Sequence, residues 1–207
     1  MIKYQLIYNI NYIMEINMPP KIKVTKDDII NAAVDVVRIA GDQALNARAI
    51  AEVLKCSTQP VFSNFSTMDA LRMAVVERAD QLCREYMQSE VESGEFPPYK
   101  ANGMAYIRFA KEEKELFKLL YMRDRSGETI SESSRGSEDV TDQMENLIKS
   151  NTTLEGDDIK LFHLEMWACV HGIASMFATG FLDLDRELVS RVLTDTYQGL
   201  RKQYGME

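Results

Sequence analysis

Apolar residues recur at helical spacing along nearly the whole chain after residue 25, and this repeat constrains the fold more than any other feature. In the first such segment Ile29, Ala33 and Val37 follow one another four residues apart, so they share one face of a helix. Thr25 and Asp28, three residues apart, form the start of a capping box. The sustained alternation that is typical of β-strands is scarce. The sequence therefore predicts an all-α protein of about nine helices.

Six longer segments after residue 66 carry the helical repeat. Thr67 is a suitable N-cap for the first and longest of them, and Gly94 is a suitable stop. The other five are predicted at residues 99–110, 114–122, 140–149, 157–179 and 185–204. Residues 125–137 are rich in Ser, Gly and charge, so we predict a loop there.

Charge is unevenly distributed along the 207 residues, whose net charge is −8. Residues 21–72 carry seven Lys or Arg and six Asp or Glu, whereas residues 73–207 carry 16 and 25. The acidity therefore lies in the C-terminal part, and the N-terminal part is nearly neutral. This distribution permits DNA binding by the N-terminal part without demonstrating it.

The first 20 residues contain apolar residues that Asn9, Asn11, Glu15 and Asn17 interrupt. The segment is too short and too interrupted to span a membrane, and it lacks the cleavage site of a signal peptide. We interpret residues 1–20 as an extension of the folded protein, with Met18 as the natural start. No other segment is predicted to cross a membrane, and the three cysteines are too scattered for a disulfide framework. These features favour a soluble protein of the reducing cytoplasm.

Three short helical segments precede the long one. The first ends at Gly41, the second covers residues 47–54 after a cap at Asn46, and the third covers residues 58–65 after a cap at Ser57. Pro60 lies in the first turn of the third segment, where its missing N–H costs least. Three short helices with tight connections are typical of a helix-turn-helix, whose later helix enters the major groove of DNA.

Residues 29–71 resemble the N-terminal domain of TetR-family transcriptional regulators. The resemblance is carried jointly by residues that stand at the family's intervals, namely Ala32-Ala33, Gly41, Ile50-Ala51, Ser57, Phe62, Phe65 and Leu71. It implies a DNA-binding domain at residues 21–72 and a ligand-binding and dimerisation domain at residues 73–207.

Three positions depart from the family pattern. Lys55 stands where the family usually has a turn glycine, so it must accept a strained backbone but could add a phosphate contact. Phe62 replaces the usual tyrosine of the third helix, and Met68 replaces a usual lysine. Both changes remove groups that could contact DNA, so binding is expected to depend more on basic residues such as Lys26.

The resemblance also suggests which residues contact DNA. Arg48, Ser57 and Thr58 are candidates for backbone contacts, and Thr58, Gln59 and Asn64 for contacts with base edges, because Gln and Asn can pair bidentately with adenine. Lys26, Lys55 and Phe62 complete the predicted surface. A structural role is the alternative for two of these residues, since Ser57 could be only a cap and Asn64 could only end its helix.

The segment WACVHGIASMFATG resembles the C-terminal domain of one branch of the family, often labelled by its Trp, His and Gly. Its Trp167 and His171 lie four residues apart on one helical face. They are candidates for a ligand pocket, although a packed helix interface is the alternative. Residues that could complete an apolar cavity, or equally a plain core, are Phe109, Phe117, Tyr121 and Met122.

The sequence predicts neither an enzyme nor a metal or cofactor site. His163 and His171 lack companion ligands, and no Ser-His-Asp set or Gly-rich phosphate loop is recognisable. The family instead implies a homodimer that binds a palindromic double-stranded operator, most simply as a repressor that a small-molecule effector of unknown identity releases. The alternatives are a ligand-independent DNA-binding or protein-interaction module and a small helical enzyme that uses His171 with Glu165.

Overall fold

The computed structural model describes residues 24–122 and 137–206, except for the side chains of residues 137–141. Within these ranges the chain forms nine α-helices, one 3₁₀ turn at Asp42–Ala44 and no strand, which confirms the all-α prediction. The helices are α1 (Lys26–Ala40), α2 (Ala47–Val53), α3 (Gln59–Asn64), α4 (Met68–Ser93), α5 (Pro98–Glu112), α6 (Lys114–Tyr121), α7 (Ser137–Asn151), α8 (Asp157–Thr179) and α9 (Arg186–Gln203). The N-terminal extension and almost all of the predicted loop at 125–137 lie outside the described residues.

Local side-chain chemistry sets the ends of the principal helices. At the start of α1 the Thr25 hydroxyl accepts from the Asp28 amide at 3.1 Å, and the Asp28 carboxylate accepts from the Thr25 amide at 2.9 Å. The Thr67 hydroxyl caps α4 by accepting from the Ala70 amide at 3.1 Å. That helix ends at Gly94, whose φ of 68° is left-handed and therefore suits glycine.

A single apolar core connects the short N-terminal helices with the longer ones that follow. Leu71, Val75, Ala79 and Cys83 stand four residues apart on α4, and all four are almost completely buried. This stripe extends along α4 and contributes to the core that α1, α5 and α6 share. The predicted boundary at residue 72 therefore falls inside a continuous helix and a continuous core.

Helix α1 also contacts the body directly through α6 and the residue that precedes it. Arg38 Nε donates to Glu113 Oε2 at 2.7 Å. Gly41, which ends α1 with a φ of 79°, approaches Glu115 so closely that a Cβ there would lie 3.0 Å from Glu115 Oε2. The backbone angle favours glycine at this position, and a Cβ would also require the end of the Glu115 side chain to shift.

Helix α8 is the one helix of the described residues that is long and apolar enough, by length and composition alone, to cross a membrane. The buried core helix of a soluble protein meets the same criterion, and one face of α8 is such a core face, with Phe162, Val170 and Phe177 buried. Another face leaves large apolar side chains exposed, namely Leu161, Leu164, Trp167 and Met176.

A buried carboxylate joins α4, α5 and α9. Glu90, which is only 3% exposed, accepts from Arg186 at 2.5 Å and lies 3.2 Å from Arg108. Arg186 also pairs with the exposed Glu95 at 2.6 Å. Because a buried charge is costly unless it is paired, the two guanidinium groups offset the desolvation of this carboxylate.

We expect Glu90→Gln to lower the free energy of unfolding by about 2–3 kcal/mol, because it leaves two guanidinium groups without their buried counter-charge. Glu95→Gln is the matched control, since it removes an exposed partner of the same Arg186 and should cost less than about 1 kcal/mol. Urea unfolding of the two variants measures the difference. Equal losses would contradict a special role for the buried carboxylate.

Candidate functional site

The connection between α2 and α3 is a tight turn with one strained residue. Asn46 caps α2, and its side-chain oxygen accepts from the amides of Arg48 and Ala49 at 3.0 Å each. After α2 ends, Lys55 has a φ of 50°, which makes it the one non-glycine residue with positive φ in the described ranges. The strained backbone expected where the family usually has glycine is therefore present.

Helix α3 is anchored by two apolar side chains and exposes the rest of its surface. Val61 and Phe65 are buried, whereas Gln59, Phe62 and Asn64 are exposed. The N-cap position is occupied by Thr58, without a side-chain hydrogen bond, so the cap expected at Ser57 is displaced by one residue.

The basic residues predicted to face DNA lie at the surface. Lys26, Arg48 and Lys55 are exposed, and none of them forms an ion pair within the described residues. The Lys26 ammonium lies 5.2 Å from the centre of the Phe65 ring at the end of α3. Positive charge beside α3 is therefore not neutralised by neighbouring carboxylates.

The polar candidates differ in how far their side chains are already engaged. Asn64 Nδ2 donates to the Pro60 carbonyl at 2.9 Å, so its amide is partly used within α3. Gln59 makes no side-chain hydrogen bond within the described residues, and Ser57 is exposed, whereas Thr58 is half-buried. Gln59 is consequently the candidate whose amide group is most available for a base edge.

We expect Lys55→Gly to raise the free energy of unfolding by about 0.5–1 kcal/mol, because glycine adopts the left-handed backbone without strain. This gain is partly offset, since glycine loses more conformational entropy on folding than lysine does. Lys55→Ala is the matched control, since it removes the same charge while keeping the strain. Chemical denaturation of both variants tests the expectation. An equal gain in both would attribute the effect to charge instead of the backbone.

A cavity of about 670 Å³ lies among α4 to α9. Its size is that of sites for drug-sized ligands. Of the predicted ligand residues, Tyr121 and Trp167 line it. Phe109 and Phe117 are completely buried in the core, and neither His171 nor the exposed Met122 is among the lining residues. Further lining residues that the sequence did not indicate include Tyr99, Lys100, Tyr106, His163 and Tyr197.

Two tyrosine–histidine pairs join α5 to α8 beside the cavity. The Tyr99 hydroxyl lies 3.1 Å from His163 Nδ1, and the Tyr106 hydroxyl lies 2.9 Å from His171 Nδ1. His171 also stacks on Trp167, with ring centres 4.8 Å apart. The signal for these pairs was present in the sequence, because the tyrosines are two helical turns apart on α5 and the histidines are two turns apart on α8.

Burial determines the protonation of these pairs. Burial lowers the pKa of His163 and of His171, and it raises the pKa of Tyr99 and of Tyr106. Each phenol therefore keeps its proton, and the neutral form of each imidazole is favoured. The histidine tautomer decides whether Nδ1 accepts from the hydroxyl or donates to it. Within the described residues, no group of three or more His, Cys, Asp or Glu side chains could hold a metal ion.

Because both histidines are held neutral in the folded protein, the unfolded chain binds more protons below the ordinary histidine pKa of about 6.5. The stability that they contribute is fully present above that pH and is lost as the pH falls below it. Urea unfolding at about pH 7.5 and about pH 5.5 tests this expectation. The double variant His163→Asn/His171→Asn, which keeps an acceptor for each tyrosine, should show a smaller loss, and an unchanged loss would assign the effect to other groups.

The C-terminal part of the chain matches a known family. Residues 99–197 match the family described as tetracyclin repressor-like, C-terminal domain. The comparison with curated proteins gives no match.

Solved structures show the same fold at low sequence identity. A protein with unknown function from Rhodococcus sp. RHA1 is 21% identical with a TM-score of 0.72, over 88% of this chain and 98% of its own. A TetR-like transcriptional regulator from Rhodococcus sp. RHA1 is 17% identical with a TM-score of 0.67, over 91% of this chain and 100% of its own. The multidrug binding protein EbrR, solved as a complex with imidazole, is 17% identical with a TM-score of 0.56, over 82% of this chain and 93% of its own.

Proposed function

We propose that this chain, which belongs to the TetR family of transcriptional regulators, is a cytoplasmic repressor that binds a palindromic operator as a homodimer and leaves it when a small molecule binds. In this proposal residues 21–72 form the DNA-binding domain, and residues 73–207 bind the effector and the second subunit. The observation that carries the proposal is α3, which exposes Gln59 and lies near basic side chains that form no ion pair among the described residues.

The surface around α3 supports the division of roles among the predicted DNA contacts. Arg48 lies in the first turn of α2, and Lys55 lies in the turn that leads into α3. Both are suited to phosphates, as is Lys26 at the start of α1. Gln59 lies in the first turn of α3, the end that reaches base edges in helix-turn-helix proteins. Phe62, which is 57% exposed, is suited to an apolar contact such as a thymine methyl group.

The unpartnered face of α8 and α9 supports a homodimer. Leu161, Leu164 and Met176 on α8 are exposed, as is Leu188 on α9. A Cβ added at Gly172 of α8 would meet no atom within 4 Å, and the same holds for Gly199 of α9, so both helices have open space at these positions. A twofold partner could bury this face as a four-helix bundle and place two copies of α3 in register with two half-sites.

Effector release is supported by the helices that the cavity shares with the DNA-binding part. Val76 and Met87 on α4 line the cavity, and so do Leu120 and Tyr121 on α6. Helix α4 carries the N-terminal helices, and α6 packs against α1. A ligand that prefers a wider cavity would therefore favour positions of α4 and α6 that alter the spacing of the two α3 helices, by its differential affinity for the two states.

The cavity makes a ligand-independent module the weaker alternative. The enzyme alternative relies on two side chains, and each of them already forms a hydrogen bond within the protein. His171 is bound to Tyr106, and Glu165 accepts from Tyr204 at 3.3 Å. The Tyr106 bond occupies His171 Nδ1, and the stacked Trp167 covers the ring, so this imidazole is poorly placed as a general base.

We expect footprinting of the purified protein on its genomic DNA to reveal two protected half-sites whose centres are about 10 base pairs apart or a multiple of that. Gln59→Ala should weaken specific binding about tenfold and relax the preference at one base pair, because one base-edge contact is lost. Arg48→Gln should weaken binding to all sequences and lower the salt slope by about one unit.

Lys149→Gln on α7 removes one exposed positive charge far from α3 and is the matched control for Arg48→Gln. It should leave both the affinity and its salt dependence unchanged. If the folded protein protects no DNA at any salt concentration, the regulator proposal is wrong.

A further inference from the structure

One of the residues that line the cavity is a lysine whose ammonium group has no carboxylate partner among the described residues. Lys100 lies near the start of α5 and lines the cavity. Its Nζ donates to the Ser190 hydroxyl at 2.7 Å and to the Thr194 hydroxyl at 2.8 Å. An ammonium group has three N–H donors, so one donor remains after these two bonds.

The surroundings of Lys100 fix its position without neutralising its charge. Its Nζ lies 4.5 Å from the centre of the Phe96 ring. The neighbouring carboxylate of Glu95 is bound to Arg186 at 2.6 Å. Burial lowers the pKa of Lys100, and Glu95 only partly opposes this. An anion beside Nζ would favour the charged form.

Among the described residues, the remaining wall offers a cationic ligand no carboxylate without a partner. Asp80 is the one acidic side chain that lines the cavity within the described residues, and it is already bound to Arg84 at 2.9 Å. His163 is held neutral, and its Nδ1 is occupied by Tyr99. A cationic ligand would have to displace an existing ion pair, whereas an anionic ligand would meet a positioned donor.

Most of the remaining lining is apolar or aromatic. Its polar side chains are Arg84, Asn102, Asn151, Gln198 and Arg201. Rings face the cavity from α5, α6, α8 and α9, and aliphatic or thioether side chains occupy much of the remaining wall. Such a lining excludes water from the body of a ligand and favours flat or extended apolar groups. The rings that contribute are Tyr99, Tyr106, Tyr121, Trp167 and Tyr197.

We propose that the cavity binds an amphipathic monoanion, with an apolar or aromatic body among these rings and its single anionic group on Lys100 and Thr194. The proposal rests on the proposed function in treating the cavity as the effector site, and it adds the chemical class of the effector. It requires no displacement of an existing ion pair, because the third N–H of Lys100 is the donor that the anion takes.

The test compares two fluorescent probes that share an aromatic body. Anilinonaphthalene sulfonate carries a negative charge, and N-phenylnaphthylamine is the same skeleton without the sulfonate. Both are titrated into the full-length protein and into Lys100→Gln. We expect the substitution to weaken the sulfonate about tenfold, which is the usual worth of one charge-assisted hydrogen bond, and to change the neutral probe less than about twofold.

Two further variants separate charge at this position from general effects. Lys111→Gln removes a lysine from the same helix, where it pairs with Asp183 at 2.5 Å outside the cavity, and it should leave both probes unchanged. Lys100→Arg keeps the positive charge and should retain most of the sulfonate affinity. Binding of the neutral probe by Lys100→Gln itself shows whether that variant keeps a folded cavity.

Equal weakening of both probes by Lys100→Gln, or no weakening of either, would overturn the proposed ligand class. So would a loss of sulfonate affinity in Lys111→Gln equal to that in Lys100→Gln, because nonspecific attraction would then explain it. The footprinting experiment decides the regulator proposal separately. DNA protection that persists while the probe test fails would refute only the anion, and selective sulfonate binding by a protein that protects no DNA would refute only the regulator.

Discussion

One apolar stripe on α4 determines how the rest of the molecule can be arranged. Leu71, Val75, Ala79 and Cys83 repeat every four residues and are buried along their whole run. Their first members pack with the N-terminal helices, and their last member meets the body, where the Tyr121 hydroxyl donates to Cys83 Sγ at 3.6 Å. A single helix therefore belongs to both parts, and neither part can repack without affecting the other.

The last two residues of this stripe have small side chains. Ala79 and Cys83 occupy little volume, so α5 can approach α4 closely over its length. Burial raises the pKa of the Cys83 thiol to about 12, which keeps it protonated and unreactive in the packed interior. The cysteine acts here as a small apolar side chain that adjoins the cavity.

Local signals made the helices predictable, because each depends on neighbouring residues alone. Thr25 with Asp28, Asn46, Thr67 and Gly94 all end or begin helices as expected from their own chemistry. The strained turn at Lys55 was also foreseeable, since the resemblance to TetR-family regulators implies a glycine at this position. The start of α3 lies one residue later than predicted, because the length of the preceding turn is not encoded in a local sequence pattern.

The cavity was much less predictable, because its wall is assembled from six helices. Phe109 and Tyr121 look equally apolar in sequence, yet Phe109 is enclosed by neighbouring helices and Tyr121 faces the cavity. Which of them lines a space depends on where α5 and α6 meet α4 and α8. Lys100 was overlooked for a related reason, since its hydroxyl partners lie about 90 residues away on α9.

The buried Glu90 cluster has a mechanical consequence for α4. Its two arginine partners, on α5 and α9, fasten the C-terminal end of α4 to the body. At a rise of 1.5 Å per residue, the opposite end of the helix at Met68 lies roughly 33 Å away. With one end fixed, α4 is a lever arm, and a tilt of about 5° at the clamped end would carry the other end roughly 3 Å, so a displacement too small to disturb the core is magnified where α3 is attached.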